Sequence, residues 1–420
     1  MKRIDVQKAV HGEVRVPGSK SLTHRALIAA ALGEGTCVIE NPLFSDDTLL
    51  TAHALEQLGA GIHREAARFT VTGTGGRLQP VAGEIDLRHS GTSMRLLTAV
   101  AVLGSGRYTL TGSARMQQRP IRDLLDALSQ LGVESTCLGS PGCPPVRLRA
   151  RRLPGGAVTV DCGTSSQFLS ALLLIAPYSR EGLEIRVSAG PVSRPYIDLT
   201  VDVMAHFGVD VQREDYRFFR VPGGRVYRAV TYRVEPDCSQ AGYFWAAAAV
   251  SGGSVKVLDI GPRSRQGDFG LVRVLARMGC TVEEEADGVR LTGGRLRAVR
   301  VDMSDMPDVV PTLAVTAAFA EGETVMGGVA HLRVKESDRL AAVVEGLSRM
   351  GIRAEADGDT LRVWGGAPRG AVIDPHDDHR MAMSFALAGL RVPGMAIADE
   401  TCVAKSFPFF WQVLEELVRS

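Results

Sequence analysis

Lysine is scarce in this chain: of 48 basic residues only six are lysine, at positions 2, 8, 20, 256, 335 and 405. Arginine serves wherever a generic surface cation is enough, so each remaining lysine asks for a reason. Net charge is almost missing too. A formal +1 over 420 residues, with no basic run, excludes a nucleic-acid coat and a disordered polyelectrolyte tail. The seven cysteines are an odd number, and they form no C-x-x-C pair and no Cys/His cluster at zinc spacing. That excludes a disulfide framework and a zinc module, and leaves free thiols in a reducing compartment. No segment approaches the ~18 apolar residues of a membrane span, and no apolar stretch follows the charged start MKRIDVQKAVHGEVRV. The expectation is a cytoplasmic protein that binds neither membrane nor nucleic acid.

What is present is length and a repeat. With 420 residues, 45% apolar and 23% charged, the chain exceeds one ordinary core and points to two domains. An amphipathic helix that ends in Gly, followed by two strand-like runs around a turn, recurs about every 72 residues. Its glycines are Gly59, Gly132, Gly208, Gly279 and Gly351, each suited to a left-handed helix stop. A second helix keeps the same beat, in six copies beginning near residues 21, 90, 165, 238, 306 and 377. Beyond its first turn it is apolar on nearly every face, as only a buried helix is. The last amphipathic helix, FPFFWQVLEELVRS, lacks its strands, whereas the N-terminus supplies two orphan strands, RIDVQKA and GEVRVPG. The ring of repeats therefore closes through the termini. The fold class expected is α/β, with three repeats in each of two domains: residues 1–18 with 236–420, and residues 19–235.

If the six buried helices aim their N-termini at the cleft between the domains, their positive dipole ends and free N–H groups make it attractive to a small polyanion. The helices are entered by PGSKSLTHR (17–25), SGTSMR (90–95), TSSQ (164–167), MSDMPD (303–308) and PHDDHR (375–380). Between them lie QQRPI (117–121), SRPYID (193–198), LRVKESDR (332–339) and VAKSFP (403–408). Half of the lysines, Lys20, Lys335 and Lys405, fall inside these few segments. A phosphate-binding P-loop is excluded, because Ser19 and Val14 stand where G-x-x-x-x-G-K-[ST] needs glycine. No G-x-S-x-G elbow exists either. With no metal ligand set and no nucleotide fingerprint, neither metal nor cofactor is expected.

Taken in order, PGSKS, GTxxR, RPI, SSQ, SxPYID, MPD, RVKESDR, DHRMAM and AKSFP resemble the 5-enolpyruvylshikimate-3-phosphate synthase family over nearly the whole chain. The resemblance implies two domains of three βαβαββ units each, the inside-out α/β barrel of the enolpyruvyl transferase fold, with the active site in the interdomain cleft. It implies transfer of the enolpyruvyl group of phosphoenolpyruvate to the 5-hydroxyl of shikimate 3-phosphate, a step of aromatic amino-acid biosynthesis. A monomer is the family default. By the same resemblance Lys20, Ser21, Arg25, Ser165, Ser166, Gln167, Ser193 and Tyr196 hold shikimate 3-phosphate. Gly91, Arg119, Gln167, Arg339, Arg380 and Lys405 grip phosphoenolpyruvate, with Lys20 touching both substrates, and Asp308 and Lys335 reach the shikimate hydroxyls. Arg95 either supports this shell or forms a structural ion pair.

The chemistry accounts for the inventory. Each substrate carries roughly three negative charges, counting a phosphate as near minus two, so a water-poor site needs many fixed cations. Proton traffic needs an acid and a base. Asp308 is the resemblance's base and Glu336 its acid, with Lys20 as the other candidate proton carrier; Glu336 also has a capping or ion-pair reading. His379 reads equally as a site residue or a core histidine. Three positions depart from the pattern: His89, Leu96 and His331 stand where relatives often carry Asn, Pro and Asn. Retained Gly91 implies open space for the phosphoenolpyruvate edge, where glyphosate competes. The alternative is the sister transferase acting on UDP-N-acetylglucosamine. Its loop carries a reactive Cys or Asp where Ala114 stands here.

Overall fold

Helices of two kinds alternate along the chain. The computed structural model describes residues 1–151 and 153–419, and these fold as two units, Gly18–Val234 and Met1–Pro17 with Glu235–Ser420. The first unit carries α1 (Lys20–Leu32), α2 (Asp46–Gln57), α3 (Gly91–Ala101), α4 (Arg122–Gln130), α5 (Gln167–Ile175) and α6 (Pro195–His206). The second carries α7 (Cys238–Ser251), α8 (Gly270–Arg277), α9 (Val310–Ala317), α10 (Arg339–Arg349), α11 (His379–Gly389) and α12 (Phe410–Arg419).

The odd-numbered helices are the apolar ones, and they are buried nearly end to end. One residue of α1 and one of α7 escape burial, and none of α9 or α11 does. The even-numbered helices bury a single face; α10, for instance, turns Leu340, Val343 and Leu347 inward at helical spacing. Five of these helices run into a glycine with positive φ, at Gly59, Gly132, Gly208, Gly279 and Gly351. A residue with a Cβ is strained in that conformation.

Five four-stranded sheets share one plan. Gly156–Asp161 runs parallel to Leu183–Ala189, which pairs antiparallel with Phe218–Val221, which in turn pairs with Gln212–Glu214. Chain order is therefore strand, helix, strand, helix, strand, strand, the βαβαββ unit. Each unit closes its set of sheets with a distant strand of its own. Thr231–Arg233 returns to lie beside Thr36–Glu40. In the second unit His11–Val14 joins Ser254–Leu258, and Lys2–Arg3 joins Ala396–Ile397 in a three-stranded sheet. The two N-terminal strands thus fill the places the repeat left open.

Each unit has its own apolar core, built around Tyr108, Phe168 and Phe207 in one and around Phe244, Trp245 and Phe385 in the other. At about 1.5–3 kcal/mol for each large apolar side chain removed from water, these cores fix the helix bodies. The polar first turns are thereby held in place. Among the described residues no helix is long and apolar enough to cross a membrane.

Candidate active site

In the unit Gly18–Val234, Lys20 is the first residue of α1, a position where the helix dipole disfavours a cation. The carboxylate of Asp47 offsets this, accepting a hydrogen bond from Lys20 Nζ at 3.1 Å with both side chains buried. Behind the pair runs a buried chain of hydroxyls. His24 Nδ1 lies 2.8 Å from Thr51 Oγ1, Thr51 Oγ1 lies 2.7 Å from Ser93 Oγ, and Ser93 Oγ lies 2.6 Å from Ser90 Oγ, the cap of α3. The first turns of α1, α2 and α3 are thus one polar network.

Arg25 is 1% exposed. Its Nε donates to Thr200 Oγ1 at 2.7 Å, and its terminal nitrogens donate to Ser21 O, Ser170 Oγ and Tyr196 O. All four partners are neutral, and burial lowers the guanidinium pKa to about 10. It braces α1 against α5 and α6. Ser165 Oγ accepts from the backbone N–H of Gln167 at 3.3 Å, and Ser166 caps α5 in sequence without a side-chain bond. Ser193 is held at φ +56, with a buried hydroxyl that has no protein partner among the described residues. A strained residue presenting an unspent hydroxyl suits a ligand contact.

Gly91 opens α3, and the guanidinium of Arg119 lies against it. The open space expected from the sequence is therefore filled: because glycine has no Cβ, the arginine approaches the helix backbone directly. Arg95 makes contacts that fit a supporting role. Its NH1 donates to Gln167 Oε1 at 2.9 Å and its NH2 to Pro120 O at 3.1 Å, while Gln167 Nε2 donates to Thr92 Oγ1 at 3.0 Å. One guanidinium thus orients Gln167 and anchors the Arg119-Pro120 segment. Leu96 is buried in the core.

In the other unit, four predicted residues form one network. Asp308 sits in the 3-10 turn Pro307–Val309 ahead of α9, and both its oxygens accept from arginine: Oδ1 from Arg339 NH1 at 3.0 Å, Oδ2 from Arg380 NH2 at 2.5 Å. Glu336 Oε2 accepts from Arg339 NH2 at 2.8 Å. Glu336 is thus ion-paired in this structure, and Asp338 caps α10, accepting from Ala341 N. Burial opposes the charge on Arg339, but Asp378, Glu336 and Asp308 outweigh it and raise the pKa.

Asp378, which the sequence reading passed over, is the hub of this half. It is fully buried, accepts from Arg339 Nε at 2.8 Å and Ser337 Oγ at 3.1 Å, and caps α11 through Arg380 N at 3.0 Å. An aspartate directly before a helix that opens with His-Arg was its visible signal. His379 is fully buried inside α11. Lys405 ends the turn Thr401–Lys405 at 7% exposure, and half-buried Lys335 follows the turn Ala330–Val334. His331, in that turn, has its pKa lowered to about 4, by burial first and then by the Lys335 charge. Two of the other lysines have structural reasons: Lys256 pairs with Glu285 and Asp287, and Lys2 with Glu415.

Repeated βαβαββ units are the architecture of the enolpyruvyl transferase fold class. A solved enolpyruvyl transferase NikO from Streptomyces tendae shares the fold, with a TM-score of 0.77 over 99% of this chain and 96% of that one at 23% identity. Residues 4–414 match the family model for EPSP synthase (3-phosphoshikimate 1-carboxyvinyltransferase), and the chain belongs to that family. It is 46% identical to the 3-phosphoshikimate 1-carboxyvinyltransferase of Methanoculleus marisnigri, over 98% of both chains. The EPSP synthase structure from Acinetobacter baumannii superposes with a TM-score of 0.82 at 31% identity, covering 99% of this chain and 97% of that one.

Proposed function

We propose that this chain transfers the 1-carboxyvinyl group of phosphoenolpyruvate to the 5-hydroxyl of shikimate 3-phosphate and releases phosphate. The observation that carries the reading is Asp308 held between the guanidinium groups of Arg339 and Arg380, in a chain whose relatives are named for this reaction. That name also favours the shikimate ester over a UDP-sugar acceptor.

In this reading the 5-hydroxyl oxygen attacks C2 of phosphoenolpyruvate and gives up its proton, while the C3 methylene gains one and becomes a methyl group. The tetrahedral adduct then expels phosphate by C–O cleavage, and the methyl loses a proton to restore the double bond. Asp308 takes the hydroxyl proton, and Glu336, which takes up a proton from solvent once both anions have bound and engage Arg339, protonates the methylene, with reversed roles in elimination. A carboxylate oxygen has two lone pairs, so the guanidinium bonds to Asp308 leave it able to accept a hydroxyl. Arg339 and Arg380 spend their charge on carboxylates in the structure. An arriving phosphate or carboxylate therefore shares guanidinium donors already engaged, and binding redistributes an existing network. Lys20, Arg119, Gln167 and the serines are the substrate-binding residues of the unit Gly18–Val234 in this reading. No cofactor enters the scheme, and the protein acts as a cytoplasmic monomer, an assignment that sedimentation of the purified protein tests.

The test of function is phosphate release from phosphoenolpyruvate with shikimate 3-phosphate, beside a reaction with UDP-N-acetylglucosamine as acceptor. Release only with the shikimate ester, lost in Asp308→Ala, supports the reading; release only with the UDP-sugar sinks it.

A further inference from the structure

We infer that Asp47 is a positioning residue for the reaction, acting through Lys20. The inference rests on the reading that Lys20 binds both substrates. Asp46 and Asp47 both stand in the first turn of α2, where acidic side chains favour the helix dipole. Asp46 is exposed and meets that need at no desolvation cost. Asp47 is 2% exposed. Burying a carboxylate is unfavourable unless specific partners repay it, and one partner here is Lys20 Nζ at 3.1 Å. Lys20 in turn occupies a poor place for a cation, the first residue of α1. Each charge is badly placed alone and well placed together.

Geometry ties the pair to the rest of its half-site. The backbone carbonyl of Asp47 accepts from Ser93 Oγ at 3.4 Å, and that hydroxyl is bonded to Ser90, the residue before Gly91. The carboxylate therefore sits on a frame shared with the start of α3, which fixes where it holds the ammonium. A lysine has four rotatable bonds and a point charge with no preferred direction. Holding it before substrate arrives removes that freedom in advance, the usual gain of preorganisation. When two polyanions bind, Asp47 also keeps one contact of the ammonium anchored.

The experiment compares the full-length wild type with Asp47→Asn, Asp46→Asn, Lys20→Met and the Lys20→Met/Asp47→Asn double variant. It reads KM for each substrate, shikimate 3-phosphate affinity by titration calorimetry, and melting temperature. Asp47→Asn is expected to raise both KM values about tenfold or more, the change that losing one charge-assisted hydrogen bond brings. Asp46→Asn stays at wild-type values. In the Lys20→Met background, Asp47→Asn weakens shikimate 3-phosphate binding no further. Should Asp47→Asn fail to fold, Asp47→Glu takes its place: it keeps the charge but displaces it, and the same joint rise in KM is expected. A loss of kcat with both KM values unchanged means a folding role only and overturns the inference. Further weakening in the Lys20→Met background overturns it as well, since Asp47 would then act without Lys20. Wild-type KM values in Lys20→Met itself would remove the site reading first and the inference with it.

Discussion

The guanidinium of Arg119 packs so tightly on Gly91 that a Cβ placed there would lie 2.5 Å from its NH1. No real Cβ tolerates that approach, and the yielding partner is the flexible tip of Arg119 rather than the backbone. Gly91→Ala should therefore fold normally and turn the guanidinium aside. With Arg119 as a phosphoenolpyruvate ligand, KM for phosphoenolpyruvate rises tenfold or more, on the order of one charge-assisted bond, while KM for shikimate 3-phosphate changes little. Equal KM values for wild type and variant would show that Arg119 does not bind that substrate.

Arg95 directs bonds to Gln167 Oε1 and Pro120 O. A lysine keeps the charge but lacks the planar fork, so Arg95→Lys should lower kcat/KM by about tenfold, with a stability loss of about 1–3 kcal/mol from the bond left unmade. Arg95→Lys with wild-type kcat/KM would show that Gln167 needs no such brace.

Asp378 is buried among Arg339, Ser337 and the start of α11. Asp378→Ala leaves Arg339 with less counter-charge in a dry site, at a cost of about 3–5 kcal/mol. Urea denaturation should show that loss, and phosphate release should fall with it. Full activity at normal stability would contradict the placement of Asp378 as hub.

His331 gives the protein an acid limb. Its pKa falls from 6.5 to about 4 on folding, so between those values the unfolded chain binds the proton and the folded chain does not. Stability from this residue is fully present above pH 6.5 and is lost as pH drops toward 4, about 3 kcal/mol in all. His331→Asn removes the titration, and its melting temperature should decline less over that window than the wild type's. Parallel declines would rule the mechanism out.

The repeat was legible because it is written in hydrophobic period and in glycines at helix ends, both of which local physics enforces. The cations were legible because lysine is rare here. The carboxylates that place them were harder to see. Asp47 and Asp378 sit at helix starts, where an aspartate is ordinary, and only burial distinguishes them from caps. Arg25, expected to hold shikimate 3-phosphate, also donates to four neutral partners, and the sequence does not reveal which donors neighbouring helices will claim. Gly91 promised space, yet the side chain that occupies it lies 28 positions further along the chain. Lys20, Arg339 and Arg380 all stand in the first turns of helices, against the dipole. Such breaks with local preference are expected at functional or strained positions.

The two short N-terminal strands have a consequence for how the protein is made. Lys2–Arg3 and His11–Val14 leave the ribosome well before their partners, Ala396–Ile397 and Ser254–Leu258. At about 5–20 residues per second, they wait tens of seconds while Gly18–Val234 emerges complete with every strand of its own sheets. The middle of the chain can fold during synthesis, whereas the outer unit must hold its first seventeen residues in reserve until its last sheet is translated. Ribosome-bound chains stopped far enough past residue 234 for the inner unit to have emerged should already protect it from protease while leaving the N-terminal segment open to cleavage.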